Sequence, residues 1–163
     1  MNNVTIYSDG SSRGNPGKGG YGTIVLYKGD DDATYKKEFS NGYRLTTNNR
    51  MEILGALVGL EFLKEASNVD LYTDSQYLCN MIKKRWIYIW EKNDWKKADN
   101  TPVKNLDLIL RLLDMLNTHK INAIWVKGHN GNTNNERCDK LATSAADDNE
   151  NLSIDEVYEK SIK

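Results

Sequence analysis

Val4-Thr5-Ile6-Tyr7-Ser8-Asp9-Gly10-Ser11 is the stretch on which the fold turns. Val4, Ile6 and Tyr7 are β-branched or aromatic, the make-up of a buried strand. Asp9-Gly10 is a turn signal, so the strand is predicted to end there with the Asp9 carboxylate at its terminus rather than in a core. Gly10, Gly14, Gly17, Gly19, Gly20 and Gly22 follow, and their bare backbone is one that a bulky substrate could approach closely. Taken alone, Asp9 fits an Asx-turn in a plain hairpin just as well. What sets it apart is the recurrence of single acids at element ends further along.

Outward from this strand, residues 21–27 read as a second strand around Ile24, Val25 and Leu26. Residues 34–43 read as a third, placed at an edge by Lys36, Lys37 and Glu38. Short links between the three imply an antiparallel meander, with residues 30–32 a solvated loop tip. The period then changes. Thr46, Thr47, Asn48 and Asn49 are N-cap candidates, and Met51, Leu54, Leu57, Val58 and Leu60 follow at helical spacing. Gly55 and Gly59 share one face of that helix and would let it lie close to the sheet. A strand at 69–73 leads into a helix from Asp74-Ser75 through Ile82, and Pro102-Val103 is expected to open another carrying Leu106, Ile109, Leu113 and Leu116. A strand at 121–126, a polar loop at 127–134 and a helix at 135–146 complete the pattern. From Asp147 onward the chain is acidic and reads as a loose tail with a little helix. A meander followed by strand–helix units predicts a mixed sheet flanked by helices, with ligands at the carboxyl ends of its parallel strands.

The chain has 163 residues, enough for one domain with a sizeable core, and its 28% charged and 39% apolar residues fit a soluble globular class. No apolar run is long enough for a bilayer and no secretory leader is visible, so no membrane partner is expected. Cys79 and Cys138 stand far apart, which argues against a disulfide framework and points to a reducing cytoplasm. A net charge of −1 argues against a uniformly sticky nucleic-acid binder. The distribution matters more: Lys83, Lys84, Arg85, Lys92, Lys96 and Lys97 gather in one segment, against Glu91 and Asp94. One basic region on a near-neutral body suggests a defined polyanion contact.

Asp9 and Asp74 each follow a strand, Glu52 falls in the first turn of a helix, and Asp139 lies near the start of the last one. Each has a plain capping explanation: Glu52 as a capping-box partner of Asn49, Asp74 or Ser75 as an N-cap, Asp139 as a macrodipole acid. Together they suggest more. If the first and fourth strands are neighbours, Asp9 and Asp74 lie about 5 Å apart. Two such carboxylates repel unless one is protonated or a cation sits between them. All-oxygen ligands select hard ions such as Mg²⁺ or Mn²⁺, and an acidic cluster beside a basic, aromatic flank suits two-metal phosphoryl chemistry.

The runs DGSSRGNPGKGGYG, TTNNRMEILGAL, YTDSQYL, PVKNLDL and WVKGHNGNTNNERCDKLA closely resemble bacterial ribonuclease H of type 1, in order and near the expected spacing, over residues 4–146. The resemblance implies an α/β fold with a five-stranded mixed sheet of order 3-2-1-4-5, strand 2 antiparallel, flanked by helices. It implies a catalytic domain at 1–148 with a basic helical handle at about 83–97, and an acidic tail at 149–163. It makes Asp9, Glu52, Asp74 and Asp139 the metal-binding catalytic acids, with Asp9 bridging two Mg²⁺ ions and Mn²⁺ as a substitute. In the family those ions activate a water that attacks the RNA phosphodiester of an RNA–DNA hybrid, leaving 5′-phosphate and 3′-hydroxyl ends.

The same resemblance makes His129, in a glycine-flanked loop, a catalytic group that shuttles protons or helps product leave, a task its ordinary pKa suits. His119 matches nothing and reads as surface. Ser12, Gly14, Asn48 and Gln76 would line the RNA strand, and Asn15, Thr47 and Asn49 would contact the DNA strand or its phosphate; turn and cap chemistry accounts for the same residues. Lys83, Lys84, Arg85, Lys92, Lys96 and Lys97 would meet phosphates, with salt-dependent affinity. Trp86 and Trp90, four apart, either join that contact or form the packed interior of the handle. The expectation is a monomeric, Mg²⁺-dependent endoribonuclease. Its rivals are a DNA nuclease on the same scaffold and a non-catalytic hybrid-binding module.

Overall fold

The computed structural model describes residues 1–128 and 132–163. In chain order it contains β1 (Asn2–Arg13), β2 (Gly17–Lys28), β3 (Thr34–Thr46), α1 (Asn48–Phe62), β4 (Ser67–Thr73), α2 (Gln76–Lys83), α3 (Trp86–Lys92), α4 (Leu106–Thr118), β5 (Lys120–Trp125), α5 (Thr133–Asp147) and α6 (Glu156–Ser161). The strands form one sheet of order β3-β2-β1-β4-β5. β1–β2 and β2–β3 are antiparallel, while β1–β4 and β4–β5 are parallel. This is the mixed sheet that the meander and the strand–helix units predict, with β3 at an edge. Among the described residues no helix is long and apolar enough to cross a membrane.

Alternation along β2 decides how the layers stack. Tyr21 and Thr23 face α1, where they meet Gly55 and Gly59, while Gly20 and Gly22 face the opposite way and lie against the backbone of α5. The glycines after Asp9 therefore serve helix–sheet packing more than substrate approach. A Cβ on Gly20 or Gly22 would collide with the Ala142 or Cys138 carbonyl. On the α1 face, Ile6, Ile53, Leu57, Leu60 and Leu71 are fully buried, and Ile109 and Leu112 of α4 join them in one core. Because α1 lies between the sheet and α4, it is apolar nearly all round rather than along one stripe.

Several elements differ from the sequence expectation. β1 does not end at Asp9; it continues to Arg13 through its pairing with β2, while its parallel pairing with β4 stops at Tyr7. Pro102 and Val103 lie outside α4: Pro102 pairs with Lys96, and the Val103 N–H donates to the Trp95 carbonyl at 3.1 Å, closing the handle into a loop. His119 is buried, not superficial. Its Nδ1 accepts the Ser67 N–H at 3.1 Å, so it joins the starts of β4 and β5, and burial pushes its pKa below the ordinary value.

The segment after α5 is docked rather than loose. The Ser153 N–H donates to the Gly42 carbonyl at 2.8 Å, and the Arg44 N–H donates to Ser153 at 2.9 Å, so this segment covers part of the β3 edge. Asp155 is buried and accepts from Arg50 Nε and Thr46 Oγ1, both at 2.7 Å. Arg44 and Glu159 add an ion pair at 2.8 Å.

Candidate active site

The site forms where β1 parts from β4. Beyond Tyr7 the two strands no longer pair, and the opening is lined by acids from three elements. Ile6, Ser8 and Gly10 face α1, so by alternation Asp9 points to the α5 side. Asp74 follows the last residue of β4. Glu52 belongs to α1 on the other face, and it arrives because Gly10 puts nothing in its way: a Cβ there would overlap the main chain of Met51 and Glu52.

One carboxylate oxygen from each of Asp9, Glu52 and Asp74 lies within 4.8 Å of the others. Asp9 is 5% exposed and Glu52 5%. Burial, then the charges of Asp74 and Asp139, push Asp9 up to about 9. Burial, then Asp9 and Asp74, push Glu52 well above the carboxylate range. Asp139 borders Asp9 closely enough to share a hydrogen bond with it, but it is not one of the three oxygens held within that radius. The Gly10 N–H donates to Asp9 Oδ1 at 3.0 Å. Among the described residues, Glu52 Oε2 is buried with no hydrogen-bond partner. A desolvated carboxylate oxygen with no donor is costly, and a hard cation satisfies it. The donor set therefore fits a divalent ion.

The capping explanations do not hold for most of these acids. The N-cap of α1 is Thr47, whose hydroxyl accepts the Arg50 N–H, so Glu52 is one residue beyond the first turn and no capping-box partner. Ser75, not Asp74, caps α2. Asn132 caps α5, which puts Asp139 in the second turn. Freed from capping, the acids answer to the site.

Residues expected to contact substrate are spread over two clefts, the β1–β2 link and the handle. Asn15, Thr47 and Asn49 line one cleft of about 600 Å³ together with Arg50, Lys104 and Tyr158, and Asn15 Oδ1 accepts the Asn48 N–H at 3.1 Å. Gly14 turns the β1–β2 link at φ +82°, and Ser12 is half-buried beside it. Gln76, Lys83 and Lys84 line a different cleft, beside Trp125. Lys92, Lys96 and Lys97 are exposed on the handle, and Arg85 sits 4.5 Å over the Tyr88 ring. Trp86 and Trp90 pack at 6.0 Å and are half-buried against the core, and Lys84 Nζ lies 5.9 Å over the Trp86 ring. His129 lies outside the described residues. Arg50, a residue with no sequence signal for a role here, is buried in α1 and binds both Asp107 and Asp155 at 2.7 Å.

Comparison with known proteins agrees with this arrangement. A family model for RNase H matches residues 1–147. The ribonuclease H of Lachnoclostridium phytofermentans is 52% identical over 157 residues, spanning 96% of this chain and 99% of that protein. The ribonuclease H of Salmonella arizonae is 53% identical over 146 residues, 90% of each chain. Among solved structures, LC9-RNase H1, a type 1 RNase H with the type 2 active-site motif, aligns with a TM-score of 0.77 at 30% identity, covering 90% of this chain and 72% of that one. With the acids gathered at the mouth of such a sheet, and relatives matching over nearly their whole length, the chain belongs to the ribonuclease H family.

Proposed function

We propose that this chain hydrolyses the RNA strand of RNA–DNA hybrids at the acidic cluster, leaving 5′-phosphate and 3′-hydroxyl ends. The observation that carries this reading is the convergence of Asp9, Glu52 and Asp74 oxygens within 4.8 Å, with Glu52 Oε2 buried and unpartnered among the described residues. Asp9, Glu52, Asp74 and Asp139 would hold two Mg²⁺ ions, or Mn²⁺ in their place. Divalent ions at such a site activate the attacking water and steady the leaving oxygen. The chain's own part is to gather negative charge that is stable only around a cation, and to aim the scissile phosphate at it.

Positioning falls to the flanking residues. Ser12, Gly14, Asn48 and Gln76 meet the RNA strand, where sensing the 2′-hydroxyl separates RNA from DNA. Asn15, Thr47 and Asn49 take the DNA strand, and the handle lysines meet its phosphates. His129 shuttles a proton or helps the product leave. The protein works as a monomer, and the two buried, unpaired cysteines suit a reducing cytoplasm.

A labelled hybrid incubated with Mg²⁺ beside matched RNA and DNA duplexes tests the proposal. Cleavage confined to the RNA of the hybrid is the expected result. Cleavage of the DNA duplex would favour a DNA nuclease, and binding without cleavage a hybrid-binding module.

A further inference from the structure

The fourth tryptophan, Trp125, lies away from the handle. It ends β5 at the sheet edge, and its indole N–H donates to the Asp74 carbonyl at 3.1 Å. The hydrogen bond fixes the ring, yet 43% of the residue stays exposed. A tryptophan with its N–H bonded and much of its surface in solvent offers an apolar, aromatic surface to a partner. The surface beside it is a cleft of about 430 Å³ lined by Gln76, Cys79, Asn80, Lys83, Lys84 and Trp125. The lining has two lysines and no acid, and neither lysine forms an ion pair among the described residues. Lys84 Nζ lies 5.9 Å over the Trp86 ring, a contact that does not balance its charge with an acid. Side-chain amides, cations without an acid partner and an aromatic ring make up the kit that binds a single nucleotide.

We propose that this cleft is a subsite for an unpaired nucleotide of the RNA strand, at the point where that strand leaves the hybrid; this rests on the hybrid reading above. Paired bases offer a protein only their edges, so an exposed indole surface is of use only to a base outside the duplex. Lys83 and Lys84 supply the phosphate contact, and Gln76 and Asn80 the hydrogen bonds to the base. The position agrees with the RNA strand. Asp74 gives its carboxylate to the acidic cluster and its carbonyl to Trp125, so the indole stands one residue from the centre over which the RNA strand passes. Lys83 and Lys84, which the sequence groups with the handle, line this cleft, and Lys84 Nζ also lies 5.9 Å from the Trp86 ring at the base of the handle.

The test compares one hybrid duplex in four forms: blunt, with a 5′ RNA overhang, with a 3′ RNA overhang, and with a DNA overhang. Affinity is measured in chelator, so the result does not depend on cleavage, and KM is measured in Mg²⁺. One RNA overhang polarity is expected to bind about five-fold or more tighter than the blunt form. Trp125→Ala abolishes that ratio. Trp125→Phe, which loses the indole N–H but keeps a ring, retains most of it. Equal binding of all four forms, or an unchanged ratio in Trp125→Ala, overturns the subsite. Loss of the ratio in Trp125→Phe as complete as in the alanine variant also overturns it, by assigning the effect to the Asp74 hydrogen bond. An equal gain from the DNA overhang overturns the RNA assignment. A blunt hybrid that binds but is not cut in Mg²⁺ counts against the catalytic reading alone.

Discussion

Gly10 rests directly on the main chain of Glu52, with no space between them for a methyl group. This contact lets an acid from α1, on one face of the sheet, reach Asp9, which projects from the other. Gly10→Ala must lift the N-terminal half of α1 off β1. The overpacking is expected to cost about 1–3 kcal/mol and to cut turnover sharply, because Glu52 moves with its helix. Urea denaturation and hybrid cleavage, measured on the same preparation, check both effects. A variant as stable and as active as the parent would refute the packing argument.

Burial, then the charges of Asp74 and Asp139, push the folded Asp9 carboxyl from 3.8 up to about 9. Between those values the folded chain holds a proton that the unfolded chain has released. Metal-free protein should therefore lose stability as pH rises through that window, with Glu52, raised by the same burial and charges, adding to the loss. Asp9→Asn should flatten the decline, keep the fold and abolish turnover. Mg²⁺ should stabilise the parent most at high pH, where the cluster is ionised. Thermal melts in chelator and in Mg²⁺ across pH check the sign.

Arg50 is 4% exposed and Asp155 8%, and they meet at 2.7 Å. Arg50→Ala leaves Asp155 buried without its partner, at an expected cost of about 3–5 kcal/mol. Asp107→Ala should cost less, since Asp107 is more exposed and Arg50 keeps Asp155. Denaturant midpoints for the two variants give the order directly.

The handle lysines are predicted to act through phosphate charge. Lys92→Ala or Lys97→Ala should weaken hybrid binding alike for every sequence and reduce the salt slope by about one. Binding titrations over a salt series measure this. An unchanged slope would place that lysine outside the contact.

His129→Ala should slow turnover within the roughly 10²–10⁴-fold range of a positioned acid or base, without abolishing it. The pH–rate profile is the measurement. A profile identical to that of the parent would assign His129 no part in the reaction.

Much of this was legible in residue order. The alternation of Ile6 with its neighbours, the helical spacing from Met51 to Leu60 and the paired glycines at 55 and 59 are local signals, and each element appears where they indicate. The acids stood out in sequence as a recurrence at expected element ends, although only Asp74 lies at one: Asp9 is inside β1, Glu52 beyond the first turn of α1 and Asp139 in the second turn of α5. Their capping alternatives were equally local and could not be eliminated from order alone, because Thr47, Ser75 and Asn132 compete with neighbours of similar chemistry for the same N–H groups. His119, the Arg50–Asp155 pair and the docking of the tail were missed for another reason. Each joins residues 52 or more positions apart, and no local pattern reports a partner at that distance.

Sequence by itself determined the strands, most of the helices and the family resemblance, and singled out the four acids as candidates, because periodicity and motif spacing are properties of neighbouring residues. Tertiary structure decided that Asp9 is buried within a strand rather than exposed at a turn, and that Glu52 reaches it past Gly10. It also set Lys83 and Lys84, at the base of the handle, in one cleft with Trp125. The physical reason is that desolvation and mutual charge depend on which surfaces meet, and surfaces meet only once the sheet and its helices have packed.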